Sequence, residues 1–403
     1  MNRPRAATAT SVPPPLALAA GSRYLAELVR AFVAERPPPR PPDGLDAHRL
    51  VEQLGRRGVS ATLGPLVTGL PADAIARLRE TSEQAERRTT VLLLELERVL
   101  PGLDEVGAAP VVLKGAALAL DVYPTPERRW FVDLDVLIAH EHREIAARAL
   151  GRLGYQRHDP LPVEFYERHH FHRMLTGPHG ACVELHWALT LPASVYSHDL
   201  DRLRRESRIL PLGAGTMRVP GTVDQLLHGA LQSVAGGYGD LRRIIDAALL
   251  DTRLAPGEHE QLAERARQAG LGTAVWLQYR LLEQIAARAM PPAVQELRPR
   301  DAAGRMLGRL PVAETCLVER SSLPSEYPLL LHWLCVPDAR KRVRELGRFI
   351  WPGEAGLLEM GYHPGRLPGW RRRAWIGVRR LKTAAQLGGI ATAWCLARPS
   401  GRP

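Results

Sequence analysis

The chain has 403 residues, of which 45% are hydrophobic and 24% are charged. This composition excludes a disordered chain and indicates a folded protein, and the length suits one main domain with helical additions. The net charge of +11 favours polyanionic partners: nucleotides, nucleic acid or an anionic membrane surface.

Signals for export or membrane insertion are weak. The four cysteines lie far apart without a Cys-x-x-Cys pair, which predicts a reducing, cytoplasmic setting. The apolar stretch from Thr383 to Ala397 is shorter than the roughly 18–20 residues that span a bilayer. We therefore expect no transmembrane segment, and the C-terminus is a candidate for peripheral membrane contact.

The first predicted elements are helical. The proline-rich stretch 36–42 cannot continue a helix, because proline lacks an N–H and restricts the preceding residue, so it predicts a linker. After it, the patterns over 47–55 and 71–100 predict helices, the second with an apolar stripe.

Strand patterns then appear in short β-branched runs at 110–113, 131–138, 155–156 and 181–187. A helix is predicted over 141–153, and helices return after 222, most clearly over 240–250. The sequence thus predicts an α+β fold: a small mixed β-sheet core flanked by N- and C-terminal helices.

Two aspartates, Asp133 and Asp135, lie within one of these strand runs. Alternating residues of a strand point to the same face, so the two carboxylates are expected side by side. Like charges in that position are unfavourable without a cation, whereas Mg²⁺ accepts hard oxygen ligands and bridges substrate phosphates. We expect a Mg²⁺ site here, with Mn²⁺ as the alternative ion.

Basic residues near the aspartates are candidates for phosphate binding. Lys114 and Gly115 lie where a strand ends and a helix begins, and free N–H groups at a helix N-terminus bind phosphate. Arg129 precedes Asp133 by four residues and could reach the triphosphate or the carboxylates, with Arg128 as its rival.

A third carboxylate is expected at Glu184. Alternation over 181–187 puts Glu184 and His186 on one strand face, and Glu184 could bind metal or accept the proton of an attacking hydroxyl. An edge-strand glutamate facing solvent is the other interpretation.

The remaining candidates are histidines, an arginine and an aspartate. His186, His228, Arg242 and Asp246 are candidates for nucleotide contacts, although Arg242 and Asp246 are spaced i, i+4 and could pair with each other on a helix. In a strand, His170 and His172 would share a face, which permits a transition-metal site. For His169, His170 and His172 we nevertheless expect an ordinary polar strand, because no carboxylate or cysteine partner is evident at metal-ligand spacing.

These motifs together resemble the uncharacterised nucleotidyltransferase family of the DNA polymerase β-like superfamily, over roughly residues 90–300. The resemblance is carried by Lys114-Gly-x-x-Leu118, Tyr123, Arg129, Asp133-x-Asp135, Glu184-Leu-His-Trp187, Leu226-Leu-His228, Leu241-Arg242 and Asp246. One departure is the Lys114-Gly115 pair, which replaces the superfamily's usual Gly-Ser, so the phosphate contact is inferred by position.

The resemblance implies transfer of a nucleoside monophosphate from a nucleoside triphosphate to a hydroxyl-type acceptor: a small molecule, peptide or RNA. The competing hypothesis is a non-catalytic basic module that binds nucleic acid or anionic membrane. The expected regions are 1–45 (proline-rich tail and linker with a short helix), 46–105 (helical), 106–220 (nucleotidyltransferase core), 221–300 (helices packing on the core) and 301–403 (basic and helical).

Overall fold

A computed structural model describes residues 20–157, 168–317, 327–353, 356–357 and 368–397. The strands of this part of the chain are β1 (Val111–Val112), β2 (Leu134–Leu137), β3 (Gln156–Arg157), β4 (His172–Thr176), β5 (Cys182–His186), β6 (Arg208–Leu212) and β7 (Gly215–Val219). They form a single sheet in the order β3-β4-β5-β2-β1-β7-β6.

The sheet is mixed. Its two central strands, β2 and β5, run parallel, and β4 pairs antiparallel with β5. One face of these strands is apolar because Leu134, Val136, Val183 and Leu185 alternate with polar residues, and they pack in one buried cluster with residues of the long helix that precedes the sheet. The opposite face carries the polar residues.

Helices precede and follow the sheet, as the sequence predicts. Those before and within it are α1 (Ala20–Val33), α2 (Ala47–Arg56), α3 (Ser60–Leu63), α4 (Ala72–Asp104), α5 (Lys114–Asp121), α6 (Arg143–Arg152) and α7 (Leu200–Arg205). Those after it are α8 (Thr222–Ala235), α9 (Leu241–Asp251), α10 (Glu258–Ala269), α11 (Gly272–Ala286), α12 (Pro292–Gln295), α13 (Ala302–Arg309), α14 (Val312–Leu317), α15 (Tyr327–Cys335), α16 (Ala339–Ile350) and α17 (Trp370–Ala397).

Aspartate side chains fix where several helices begin. Each accepts a hydrogen bond from a backbone N–H of the first turn, which satisfies a donor that has no partner within the helix. These N-cap residues are Asp46, Asp199, Asp240, Asp301 and Asp338. The cap at Asp240 fixes the start of α9, the helix that carries the predicted site residues Arg242 and Asp246.

A second apolar cluster joins α1 and the helices that follow the sheet. Tyr24, Leu25 and Leu28 of α1 are buried in it, so this helix is part of the core, while residues 1–19 lie outside the described part of the chain. The α+β fold class and the helices predicted over 47–55, 71–100, 141–153 and 240–250 are confirmed. The boundaries of the predicted regions stay predictions.

Among the described residues, no helix is both long enough and apolar enough to cross a membrane. The apolar stretch from Thr383 to Ala397 forms the second half of α17.

Candidate active site

Asp135 and Glu184 lie next to each other on the polar face of the sheet. They occupy paired positions of the parallel strands β2 and β5, so their side chains leave the sheet on the same side. Asp135 is only 2% exposed, and Glu184 is mostly buried. Asp133 is partly buried and comes just before β2, which starts at Leu134 rather than at the predicted position 131.

Lys114 is the cation nearest to these carboxylates. It is the first residue of α5 and has a positive φ of 49°. Its Nζ donates to Asp135 Oδ1 at 2.5 Å and lies 3.8 Å from Glu184 Oε2. Burial alone would lower the pKa of Lys114, but the Asp135 carboxylate raises it overall, so the ammonium stays charged.

His186 joins the same two carboxylates from within the sheet. Its Nε2 lies 2.9 Å from Asp135 Oδ1 and 3.2 Å from Glu184 Oε2. Although burial opposes ionisation of a carboxyl, His186 and Lys114 lower the pKa of Glu184 to about 2, and Lys114 and His186 also lower the pKa of Asp135. Both groups are therefore carboxylates at neutral pH.

The pKa of Asp133 is shifted in the opposite direction from those of Asp135 and Glu184. Burial and then the negative charges of Asp135 and Glu184 raise the pKa of Asp133 to about 6. Lys114 and His186 form hydrogen bonds with Asp135, whereas they act on Asp133 through their charge. Three carboxylates thus share few local cations, and this oxygen-rich donor set suits a divalent metal ion such as Mg²⁺.

His172 extends the cluster across the next strand, contrary to the sequence prediction of an ordinary polar strand. It pairs with His186 in the β4–β5 register, and its Nε2 lies 4.0 Å from Glu184 Oε1. His172, Glu184 and His186 each offer one ligand atom, and these atoms lie within 4.8 Å of one another. The expectation that this histidine has no carboxylate partner was therefore wrong.

A cavity of about 210 Å³ opens beside the aspartates, between the sheet and helices α8 and α9. Asp133, Asp135 and Lys114 line one side of it. The other side includes His228 and Arg242, both named from the sequence. Glu184 does not line this cavity, although Lys114 connects it to Asp135.

Two predicted residues, Arg129 and Asp246, form a buried ion pair in the lining of the cavity. Arg129 Nε and Nη2 donate to the two carboxylate oxygens of Asp246, each at 2.7 Å, and the Tyr123 hydroxyl donates to Asp246 Oδ1 at 2.7 Å. The alternative interpretation, that Arg242 pairs with Asp246 on one helix, does not describe the structure. Arg242 instead donates to Asp240, and its guanidinium lies 4.9 Å from the centre of the Trp130 ring.

Gly115 is needed for a reason that the sequence did not indicate. A Cβ at this position would lie 2.4 Å from Phe131 Cβ, so the glycine allows α5 to pack against Phe131. Gly115 also lines the cavity. No side chain caps the start of α5, which leaves backbone N–H groups there for another acceptor.

His228 is a neutral group in this setting. It is buried on α8, and its Nε2 lies 3.3 Å from Gln232 Nε2. Burial and then the charge of Lys114 hold the pKa of His228 well below its ordinary value. Its imidazole can therefore donate or accept one hydrogen bond at the cavity wall.

Comparison with known proteins agrees with the motif resemblance. The model of a family described as uncharacterised nucleotidyltransferase matches residues 43–287. A solved structure of an antigenic nucleotidyltransferase-like protein from Paracoccidioides brasiliensis is similar with 19% identity over 53% of this chain and 98% of its own, at a TM-score of 0.31. No curated protein matches the chain.

Proposed function

Because the chain belongs to the uncharacterised nucleotidyltransferase family, we propose that it transfers a nucleoside monophosphate from a nucleoside triphosphate to a hydroxyl-type acceptor. One observation carries this proposal: Asp135 and Glu184 are paired on adjacent parallel strands, and Asp133 and Asp135 open with Lys114 into one cavity.

Asp133, Asp135 and Glu184 are the proposed ligands of Mg²⁺. Bound there, a divalent ion would compensate the charge that develops on the attacking and leaving oxygens. Asp135 and Glu184 each contact Lys114 and His186, which favour the ionised form. We therefore assign Glu184 to metal binding rather than to general-base catalysis, since a carboxylate stabilised in this way accepts a proton poorly.

Imidazole donors beside Glu184 favour Mn²⁺ as the ion at that end of the cluster. His172 and His186 offer nitrogen ligands together with the Glu184 carboxylate. Mg²⁺ prefers oxygen ligands, whereas imidazole suits later transition metals. Mn²⁺ accepts an imidazole ligand more readily than Mg²⁺ does. We expect His172→Ala to reduce Mn²⁺ affinity more than Mg²⁺ affinity, as measured by titration calorimetry without nucleotide. Exposed His48 provides the control, and equal losses for both ions would contradict the assignment.

The triphosphate is proposed to bind at the start of α5. Lys114 supplies a positive charge there, and the uncapped helix start supplies N–H donors. In the reaction, the acceptor hydroxyl loses its proton to solvent and its oxygen bonds to the α-phosphorus. The bond from that phosphorus to the bridging oxygen of the β-phosphate breaks, and pyrophosphate leaves with the electron pair. The cavity-facing side chains of Arg242 and Arg243 are placed to offset phosphate charge.

The direct test is a screen of the purified protein with each of the four labelled NTPs, Mg²⁺ or Mn²⁺ and candidate acceptors, including the protein itself. Polyanion binding is measured in parallel for wild type and Asp135→Ala. Transfer that the substitution abolishes supports the proposal. Absence of transfer by wild type, with tight salt-sensitive polyanion binding by both proteins, would favour the non-catalytic binding module.

A membrane contact is proposed separately for α17. Trp375, Val378 and Leu381 are at least half exposed, and their three-residue spacing puts them on one side of the helix. Exposed basic residues Arg379 and Lys382 lie next to them. Exposed tryptophan and aliphatic groups mixed with positive charge are typical of helices that bind an anionic bilayer surface.

Vesicle co-sedimentation tests this contact with the full chain. We expect binding to vesicles that contain phosphatidylserine and little binding to phosphatidylcholine alone. Trp375→Ser should weaken it, whereas Val343→Ser, at an equally exposed valine of α16, should not. Binding that is unaffected by Trp375→Ser, or equal for both lipids, would contradict the proposal.

A further inference from the structure

A core helix carries one polar side chain that has no partner within the described residues. Gln278 of α11 is 1% exposed, and neither its Oε1 nor its Nε2 has a hydrogen-bond partner there. Its neighbours along the helix, including Leu277, Leu281 and Leu282, are buried and apolar. An unpaired buried amide is unfavourable to folding, so its presence requires an explanation.

Gln278 lines the same cavity as Asp135 and Lys114. Across from it, Gly229 of α8 also lines the cavity, and a Cβ built on Gly229 would lie 3.9 Å from Gln278 Oε1. Glycine inside a helix reduces its stability relative to alanine. Here the missing side chain leaves space directly next to the amide.

A second amide has an open acceptor in the same wall. Gln225 donates through Nε2 to Asp121 and to the Pro220 carbonyl, but its Oε1 has no partner among the described residues. Gln225 is also buried and also lines the cavity. Three polar atoms of two fixed side chains are thus available to a group that enters this space.

We propose that Gln278 binds the edge of the nucleobase of the triphosphate, with Gln225 Oε1 as an additional acceptor. A carboxamide has a donor and an acceptor side by side, and a nucleobase edge offers the complementary pair, as in bidentate glutamine–adenine contacts. The ligand class fits because the phosphate-binding elements line the same cavity. This inference rests on the proposed function, since it names how that site distinguishes nucleotides.

The unpaired amide of Gln278 should lower the stability of the free protein but strengthen nucleotide binding. Gln278→Met keeps the size of the side chain and removes the unpaired polar atoms. The ligand-free variant should therefore melt at a higher temperature than wild type. Its nucleotide affinity should fall roughly 5- to 150-fold for the preferred base, and discrimination among the four bases should diminish.

The experiment measures binding of non-hydrolysable analogues of all four NTPs, with Mn²⁺ or Mg²⁺, together with the melting temperature of the free protein. Gln284→Met is the matched control, because this exposed glutamine lies on the same helix. The control should leave affinity and base preference unchanged. A lower melting temperature for Gln278→Met with unchanged affinity would overturn the inference and assign the glutamine to the core.

Transfer assays separate the two proposals. Wild type that binds one base preferentially but transfers nothing would refute the proposed function and leave the role of Gln278 intact. Wild type that transfers with a base preference retained by Gln278→Met would refute the inference and leave the function intact. A protein that binds no nucleotide at all would refute both.

Discussion

The buried pair of Arg129 and Asp246 gives the largest stability effect that we expect from one substitution. Asp246→Ala removes the acceptor of two hydrogen bonds from Arg129 and one from Tyr123, all at 2.7 Å. Both charged residues are less than one-tenth exposed. The guanidinium keeps its bond to the Trp130 carbonyl but loses its counter-ion.

Removing one partner of a buried ion pair lowers the free energy of unfolding by about 3–5 kcal/mol, because the remaining charge stays buried without a counter-ion. An exposed pair is worth far less, so Glu83→Ala, which removes the partner of Arg87 on the surface of α4, should cost only about 0.3–0.5 kcal/mol. The tenfold ratio is the quantity to measure.

Urea unfolding followed by tryptophan fluorescence gives the comparison, with thermal melting as a second probe. The double variant Arg129→Met, Asp246→Leu should recover much of the loss, since no unpaired charge remains. A cost below about 1 kcal/mol for Asp246→Ala, which would match an exposed pair, would refute the reasoning. Loss of nucleotide affinity at full stability would instead restore the binding role predicted from the sequence.

Three further outcomes are expected. In metal-free buffer, Asp133→Asn should raise the melting temperature at pH 7.5. The pKa of Asp133 in the folded protein, about 6, lies above the ordinary value, so wild type gains stability as the pH falls through 6 and the variant does not. Equal pH profiles of the melting temperature for both proteins would contradict this. Gly115→Ala should cost about 1–3 kcal/mol in urea unfolding by collision with Phe131, and unchanged stability would contradict the packing argument. Burial raises the thiol pKa of Cys316 and Cys335 to about 12. Mass spectrometry after treatment with a thiol reagent at pH 8 should therefore find both cysteines unlabelled until urea is added. Rapid labelling of the folded protein would contradict their burial.

Local patterns were sufficient to predict that Glu184 and His186 leave the sheet on the same side. Alternation within one strand needs only the sequence of that strand, so Glu184 and His186 could be assigned to one face before any partner strand was known. Periodicity likewise predicted α4, α6 and α9. The parallel register that brings Asp135 opposite Glu184 was beyond such patterns, because it depends on the whole sheet.

Long-range pairing explains what the sequence analysis missed. His172 meets Glu184 only because β4 and β5 form an antiparallel pair joined by the turn at 177–181. A hairpin predicted from Gly177, Pro178 and Gly180 would have set that register and brought His172 opposite His186. No comparable local signal exists for Arg129 and Asp246, which are 117 residues apart.

Helix α1 was missed as a core element for a different reason. The sequence analysis expected a proline-rich tail and linker with a short helix over residues 1–45, and it did not expect that helix to pack in the core. Prolines end a helix, but they do not prevent the preceding helix from packing. Tyr24 also donates through its hydroxyl to the Pro39 carbonyl at 3.2 Å, so the proline-rich stretch 36–42 folds back along the helix it follows.

The central claim is nucleotidyl transfer by the site around Asp135, and the position of the label in the product tests it most directly. Wild type is incubated with the preferred NTP labelled at the α- or the γ-phosphorus, beside Asp135→Asn, which keeps the side-chain shape but loses a charged metal ligand. The account predicts that wild type transfers the α-label and not the γ-label, and that Asp135→Asn transfers neither while remaining folded. Transfer of the γ-label, or full activity in Asp135→Asn, would contradict it.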